Sequence, residues 1–272
     1  LLHLLTRKHI RYIMNTLEFM RWLLPPDGYV VVSESGQYWQ DHFYETVDEA
    51  VEATTKLDAT TTVYFALHTF SDKTKGRKKE NTTGCKTLYE DFDVDQEKAA
   101  KGKAYFTKAD AVKDIVRLAT ALQLTPTVVD SGGGYHAYFH FDQTVDETTW
   151  AELSGLKRKV VQHLGLKSDP QVNVDAARVL RATETHNKKF DPPRPVVMLK
   201  KGTEYATSVI REALQSFIDK NKLTPKPKPT EGFGVLETAP KLDRVAASTA
   251  ALSGDDWHDN MLKLVASWVS KG

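Results

Sequence analysis

The run Leu88-Tyr89-Glu90-Asp91-Phe92-Asp93-Val94-Asp95 alternates carboxylates with aromatic and aliphatic side chains. Read as a β-strand, this period of two sends Asp91, Asp93 and Asp95 to one face. Neighbouring carboxylates then stand about 6.6 Å apart along the strand, within reach of shared divalent cations and too close to remain comfortably unpaired. Taken alone, the run fits equally well a sheet with one solvated face. The flanking sequence separates these readings.

Working outward, Thr16 is placed to cap a helix that stops at Pro25-Pro26, and Gly28 to Ser33 reads as a strand. Thr46 and Glu49 form a capping box for a helix to Leu57, and Thr62 to His68 is rich in β-branched and aromatic residues, as strands are. Phe70 to Thr83 is a polar, basic loop. After the acidic strand, Thr107 and Asp110 open a helix with Ala111, Ile115, Leu118, Ala119 and Leu122 at helical spacing. Pro126 to Asp130 is a strand that turns through Ser131-Gly132-Gly133-Gly134 into another, beginning at Tyr135. That strand places His136, Tyr138 and His140 on one face. Asp146 to Leu164 is an amphipathic helix closed by Gly165. Val172 to Leu180 and Val196 to Leu199 read as strands, and Val209 to Ile218 as a helix. The mixed element order and the tight turn at 131–134 predict an α+β fold with a mixed sheet.

The chain has 272 residues, of which 40% are hydrophobic and 27% charged, enough for one large domain with an appendage and too apolar for general disorder. The large domain is expected over residues 1–222. Thr224-Pro-Lys-Pro-Lys-Pro-Thr230 marks a stiff linker over 223–232, and a small helical segment follows at 233–272, with Trp257, Met261, Leu264, Val265 and Trp268 available for packing. The chain starts at Leu1, so residues 1–13 are read as non-native and Met14 as a natural start. A single cysteine, Cys85, excludes an internal disulfide and points to a cytoplasmic setting. Charged residues interrupt every apolar run, so no membrane-spanning helix is expected. Net charge is only +1, but Arg178 to Lys201 carries seven basic residues against two acidic ones, and Lys73, Lys75, Arg77, Lys78 and Lys79 form a second basic cluster.

Three features now stand in order: Asp91-Phe92-Asp93, the corner Ser131-Gly132-Gly133-Gly134-Tyr135-His136, and Asp175 leading into Arg178-Val179-Leu180-Arg181 and Asn187-Lys188. Together they resemble the archaeo-eukaryotic primase superfamily, specifically the primase-polymerase domains of phages and plasmids. That family carries an Asp-x-Asp strand, a Ser-Gly-x-Gly-x-His-like hairpin, and a third acid before an Arg strand that ends in Asn-x-Lys or Asn-Lys. The segment from Asp256 to Gly272 looks like the start of the family's helical C-terminal module, which often precedes a helicase. Where relatives tend to have Pro-Gly-Thr after the Arg strand, this chain has Thr183-Glu184-Thr185.

The resemblance implies template-directed nucleotidyl transfer on single-stranded DNA, with a dNTP or NTP as substrate and two Mg2+ or Mn2+ ions. Such chemistry needs two cations about 3.5 to 4 Å apart. Asp91, Asp93 and Asp175 are the expected catalytic carboxylates and metal ligands, and Asp95 is a lesser candidate further along the strand. Ser131, Gly132, Gly133 and Gly134 are expected to offer unobstructed backbone N–H groups to phosphate, with His136 beside them. Arg181 and Lys188 would neutralise the triphosphate, helped by Arg77 and Asn81 from the basic loop. Tyr38, Trp39 and Tyr135 are aromatics available for stacking on a template. Competing readings are a noncatalytic nucleotide- or DNA-binding module of a replication initiator, a metal-dependent nuclease and, more remotely, a DxD glycosyltransferase, whose donor domain would ordinarily be a parallel α/β unit.

Overall fold

The computed structural model describes residues 14–168 and 174–223. In chain order these form α1 (Thr16–Leu23), β1 (Val30–Ser35), β2 (Trp39–Tyr44), α2 (Val47–Leu57), β3 (Thr62–Ala66), β4 (His68–Phe70), β5 (Thr82–Asp93), α3 (Gln96–Ala100), α4 (Lys108–Leu122), β6 (Thr127–Asp130), β7 (Gly134–Val145), α5 (Glu147–His163), β8 (Val179–Arg181), β9 (His186–Asn187), β10 (Arg194–Pro195), β11 (Val197–Lys200), β12 (Glu204–Tyr205) and α6 (Thr207–Lys220). All the described residues fall in one unit. The expectations for residues 1–13, for the linker beyond Leu223 and for the helical module at 233–272 lie outside the described residues.

The fold is α+β, built on two main sheets. One is four-stranded and antiparallel, in the order β2-β1-β3-β8. The other is six-stranded, in the order β11-β6-β7-β5-β4, with β12 running parallel to β7. Only Leu67 separates β3 from β4, so the chain passes from one sheet to the other across a single residue. One large core joins the two sheets to α1, α4, α5 and α6. The apolar positions read for α4, Ala111, Ile115, Leu118, Ala119 and Leu122, are all buried.

Four local expectations are corrected. Asn15, not Thr16, caps α1, because Asn15 and Glu18 form a reciprocal capping box. Thr16 instead gives its backbone N–H and hydroxyl to Glu184 and its hydroxyl to the Thr183 carbonyl. Glu184 adopts φ +58, the left-handed conformation that a glycine takes without strain, and its carboxylate recovers part of that cost at the start of α1. The strand expected at 172–180 is observed only from Val179, with 172 and 173 outside the described residues, so Asp175 sits in a turn before β8. β2 was not anticipated; it pairs with β1 from Ser35↔Trp39 to Val30↔Tyr44. Asp95 does not continue the acidic strand, because its side chain accepts the Lys98 N–H and caps α3.

Beneath the sheet, Glu90 of β5 meets Lys157 of α5 at 3.0 Å, and both side chains are fully buried. The Lys157 ammonium hydrogen-bonds the Tyr89 carbonyl, while the Glu90 oxygens have no well-directed hydrogen bond, so charge rather than geometry holds the pair. Leaving either ion alone in the core costs about 3–5 kcal/mol, whereas an apolar pair of similar volume is tolerated. Lys157→Met is therefore expected to lower stability by about 3–5 kcal/mol, and adding Glu90→Leu to restore most of it. Urea denaturation of the two single variants and the double variant measures this, and a Lys157→Met protein as stable as the wild type would contradict it.

His68 and His140 are buried, and burial holds both near a pKa of about 3, far below the usual imidazole value. The unfolded chain takes up these protons near pH 6.5 and the folded one does not, so stability is present above that pH and falls as pH drops toward 3. Urea midpoints are expected to decline between pH 7 and pH 5, with a shallower decline in His68→Leu.

Candidate functional site

Antiparallel partners share a face of their sheet, which makes the register a map of the site. In the four-stranded sheet, Asp41↔Ser33, Ser33↔Tyr64 and Tyr64↔Arg181 form one cross-strand row. In the six-stranded sheet, Asp91↔His136 are paired, with Asp93 opposite Gly134. Residues of both sets line one cleft of about 480 Å³, together with Trp39, Arg77, Lys98, Asp175, Arg178, Val179, Leu180 and Lys189. Five of its lining side chains are cationic and three anionic, so the cleft favours a polyanion.

Asp91, Asp93 and Asp175, predicted from sequence, thus face one cavity. Asp93 Oδ2 is held by the Lys98 ammonium at 2.6 Å, a contact that raises the Lys98 pKa, with Asp95 and Asp91 adding to the rise. Asp175 Oδ1 accepts the Ala177 N–H at 3.0 Å, and its carbonyl accepts the Tyr89 hydroxyl at 2.7 Å. The donor type suits a hard cation such as magnesium or manganese. The gathering does not: among the described residues no three of His, Cys, Asp and Glu are grouped so as to hold a metal ion.

His136 is buried, and its Nε2 stands 4.0 Å from Asp91 Oδ1. Its Nδ1 lies 3.1 Å from the Tyr138 hydroxyl, an arrangement that suits a tautomer with Nδ1 accepting and Nε2–H facing the cleft. Burial, reinforced by Arg181, brings its pKa down to about 3, so the ring is neutral at physiological pH. Arg181 lies with its guanidinium carbon 5.1 Å over the Tyr64 ring and one nitrogen 3.3 Å from the Tyr64 hydroxyl. Its Nε is buried with no hydrogen-bond partner. An unmet buried donor on a charged group is costly, and an anion in the cleft would satisfy it. Arg77 reaches the cleft from the basic loop, bonding Asp41 at 3.0 Å and the Ala177 carbonyl.

The other expected phosphate contacts are placed elsewhere. In the glycine corner, the Ser131 N–H goes to the Gly134 carbonyl and the Gly132 N–H to Asp130, while Asn187 and Arg194 hydrogen-bond the corner's carbonyls. Ser131, Gly132 and Gly133 are therefore packed against Asn187, Phe190 and Arg194, Gly134 against β5, and none of the four lines the cleft. Their observed task is close packing: a Cβ on Gly134 would stand 2.3 Å from the Phe92 carbonyl, between Asp91 and Asp93. Asn81 is buried and organises the basic loop, accepting from Ser71 and donating to the Asp72 and Gly76 carbonyls. Lys188 turns to Asp58 at the end of α2, and its neighbour Lys189 lines the cleft instead. The spacing Asn187-x-Lys189 was the signal that would have selected it. Tyr135 is buried against Lys108 and Tyr38 is exposed outside the lining, which leaves Trp39 as the stacking candidate inside. Lys98 and Tyr64 carried no functional signal in the sequence, and Arg178 was marked only as part of the basic stretch that follows Asp175.

No protein-family model and no curated protein sequence matches this chain. Solved structures with a similar fold include the AEP domain of the cyanophage S-2L primase-polymerase, at 13% identity and a TM-score of 0.43, covering 69% of this chain and 89% of that one. The catalytic domain of primase RepB′ in complex with initiator DNA is 12% identical with a TM-score of 0.41, covering 78% of this chain and 100% of that one. The polymerase domain of Mycobacterium tuberculosis ligase D in complex with DNA is 13% identical with a TM-score of 0.39, covering 72% of this chain and 83% of that one. Likeness at this level carries no argument about chemistry, which rests on the residues of the cleft.

Proposed function

We propose that residues 14–222 form a primase-polymerase-type nucleotidyltransferase domain that binds a dNTP or NTP in the cleft and adds it to a strand on a single-stranded DNA template. The observation that carries this reading is one cavity between two sheets in which Asp91, Asp93, Asp175 and neutral His136 lie with Arg77, Arg178, Arg181 and Lys189. Opposite charges brought to one small cavity are what phosphoryl transfer requires: cations to bind the triphosphate, and carboxylates for the attacking hydroxyl and its counter-ions.

In this proposal Arg181, backed by Tyr64, receives phosphate oxygens, while Lys189 and Arg77 add charge at the rim. His136 donates Nε2–H as a neutral group and so adds no charge of its own. Asp91, Asp93 and Asp175 are the carboxylates assigned to magnesium or manganese, which when bound would neutralise charge at the transferred phosphate. They are assigned without a coordination geometry, since Lys98 holds Asp93 and no three-donor group exists among the described residues. Those same observations favour a second reading, a nucleotide- or DNA-binding module without turnover.

Primer extension with dNTPs or NTPs, in magnesium and then manganese, separates the two. The proposal expects metal-dependent synthesis by the wild type and its loss, by 100-fold or more (roughly the scale of a removed catalytic group), in Asp91→Ala/Asp93→Ala with an unchanged circular dichroism spectrum. Arg181→Gln is expected to weaken triphosphate binding with the fold intact. Synthesis retained by the double variant would exclude the assignment, and binding without synthesis by the wild type would favour the module.

A further inference from the structure

Trp39 is the large apolar side chain of the cleft that remains widely open, at 46% exposure. Its indole is nevertheless fixed. Asp41 Oδ1 accepts three hydrogen bonds, from Ser33 Oγ at 2.5 Å, Trp39 Nε1 at 3.0 Å and Arg77 Nε at 3.0 Å. One carboxylate oxygen, two residues along β2 and on the same face, thereby sets both the ring and the guanidinium whose carbon lies 5.9 Å from it. Tyr64 supports the ring from within the sheet, 5.1 Å away and tilted by 42°.

Core packing does not account for this orientation, since neither Trp39 nor Asp41 belongs to the core, and an exposed aromatic face held at one angle in a cleft is a pre-organised stacking surface. A flat π group stacked on it would sit beside Arg181 and Arg77, whose charges favour phosphate. A cleft of about 480 Å³ falls within the size range of single-ligand pockets, typically about 300–1,000 Å³. Base–aromatic stacking tolerates any base, because every base offers a π face.

We propose that Trp39, positioned by Asp41, is the platform on which the base of a bound nucleoside triphosphate stacks, so that the cleft selects nucleotides over base-free polyphosphates. The inference rests on the nucleotide-site reading given above and adds the subsite for the base. Trp39 contacts the ligand; Asp41 is a positioning residue.

Calorimetric titration of the full chain with dATP, with inorganic tripolyphosphate and with a short oligothymidylate tests it. For the wild type, dATP is expected to bind more tightly than tripolyphosphate. Trp39→Ala should weaken dATP at least about fivefold, the low end of what stacking on an aromatic supplies, and leave tripolyphosphate within about twofold. Trp39→Leu keeps bulk without a π face and should behave as Trp39→Ala, whereas Trp39→Phe should recover part of the affinity; this pair holds the test if the alanine variant folds poorly. Equal losses for dATP and tripolyphosphate, or no loss for dATP, would overturn the platform while leaving a triphosphate site. A loss confined to oligothymidylate would move Trp39 to the template strand and also overturn it. A wild type that binds neither dATP nor tripolyphosphate would overturn the nucleotide-site reading and this inference together.

Discussion

β5 can turn Asp91 and Asp93 toward the cleft only if Glu90 goes beneath the sheet, and Glu90 can stay there only because Lys157 meets it at 3.0 Å. From Thr87 to Asp93 the pairing of β5 with β7 is regular, so a slip of one residue there would bury two aspartates where one glutamate now lies. The buried pair is thus a register lock as much as an energetic one. Its partner lock lies on the neighbouring strand, where Gly134 lets β7 approach the Phe92 carbonyl more closely than any side chain would allow. Between them, the two fix the height of Asp91 against His136.

The second constraint is the single-residue passage from β3 to β4. Because Leu67 alone links strands that belong to different sheets, the rows Asp41-Ser33-Tyr64-Arg181 and Asp91-His136 are brought to one cavity without a long connection. The first row supplies the Arg181 cation and the aromatic Tyr64, and the second supplies the Asp91 carboxylate and a neutral imidazole. Lys98 stands at the edge of the second row, where its ammonium already meets Asp93. Arg181 is thus carried on one sheet and Asp91 and Asp93 on the other, while Arg77, Asp175, Arg178 and Lys189 come from connecting segments and Lys98 from a small helix.

Much of this was legible in the residues. Period-two alternation placed Asp91 and Asp93 on one face, and the α4 apolar positions fell where helical spacing put them. The glycine run marked a turn, but not its surroundings: the Gly132 amide is taken by Asp130 and the Ser131 amide by the turn itself, while Asn187 and Arg194 from distant segments fold over it. Lys188 and Lys189 are chemically alike and adjacent, and local sequence does not say that Asp58, 130 residues away, captures the first and leaves the second to the cleft. β2 went unread because Trp39-Gln-Asp-His-Phe-Tyr44 holds no β-branched residue, although Ser35-Gly36 before it is a hairpin signal.

Sequence by itself determined the α+β class, the strand that bears the two aspartates, and the order of acid, histidine and arginine along the chain, because periodicity and turn chemistry are local properties. Tertiary structure alone decided which cations share a cavity with those acids, that β5 ends at Asp93 and leaves Asp95 to cap a helix, and that Arg77 converges on the Asp41 carboxylate that orients Trp39. Those outcomes depend on pairings between residues far apart in the chain or on where a strand ends in the sheet, and such choices are made by packing and by the need to satisfy buried charge.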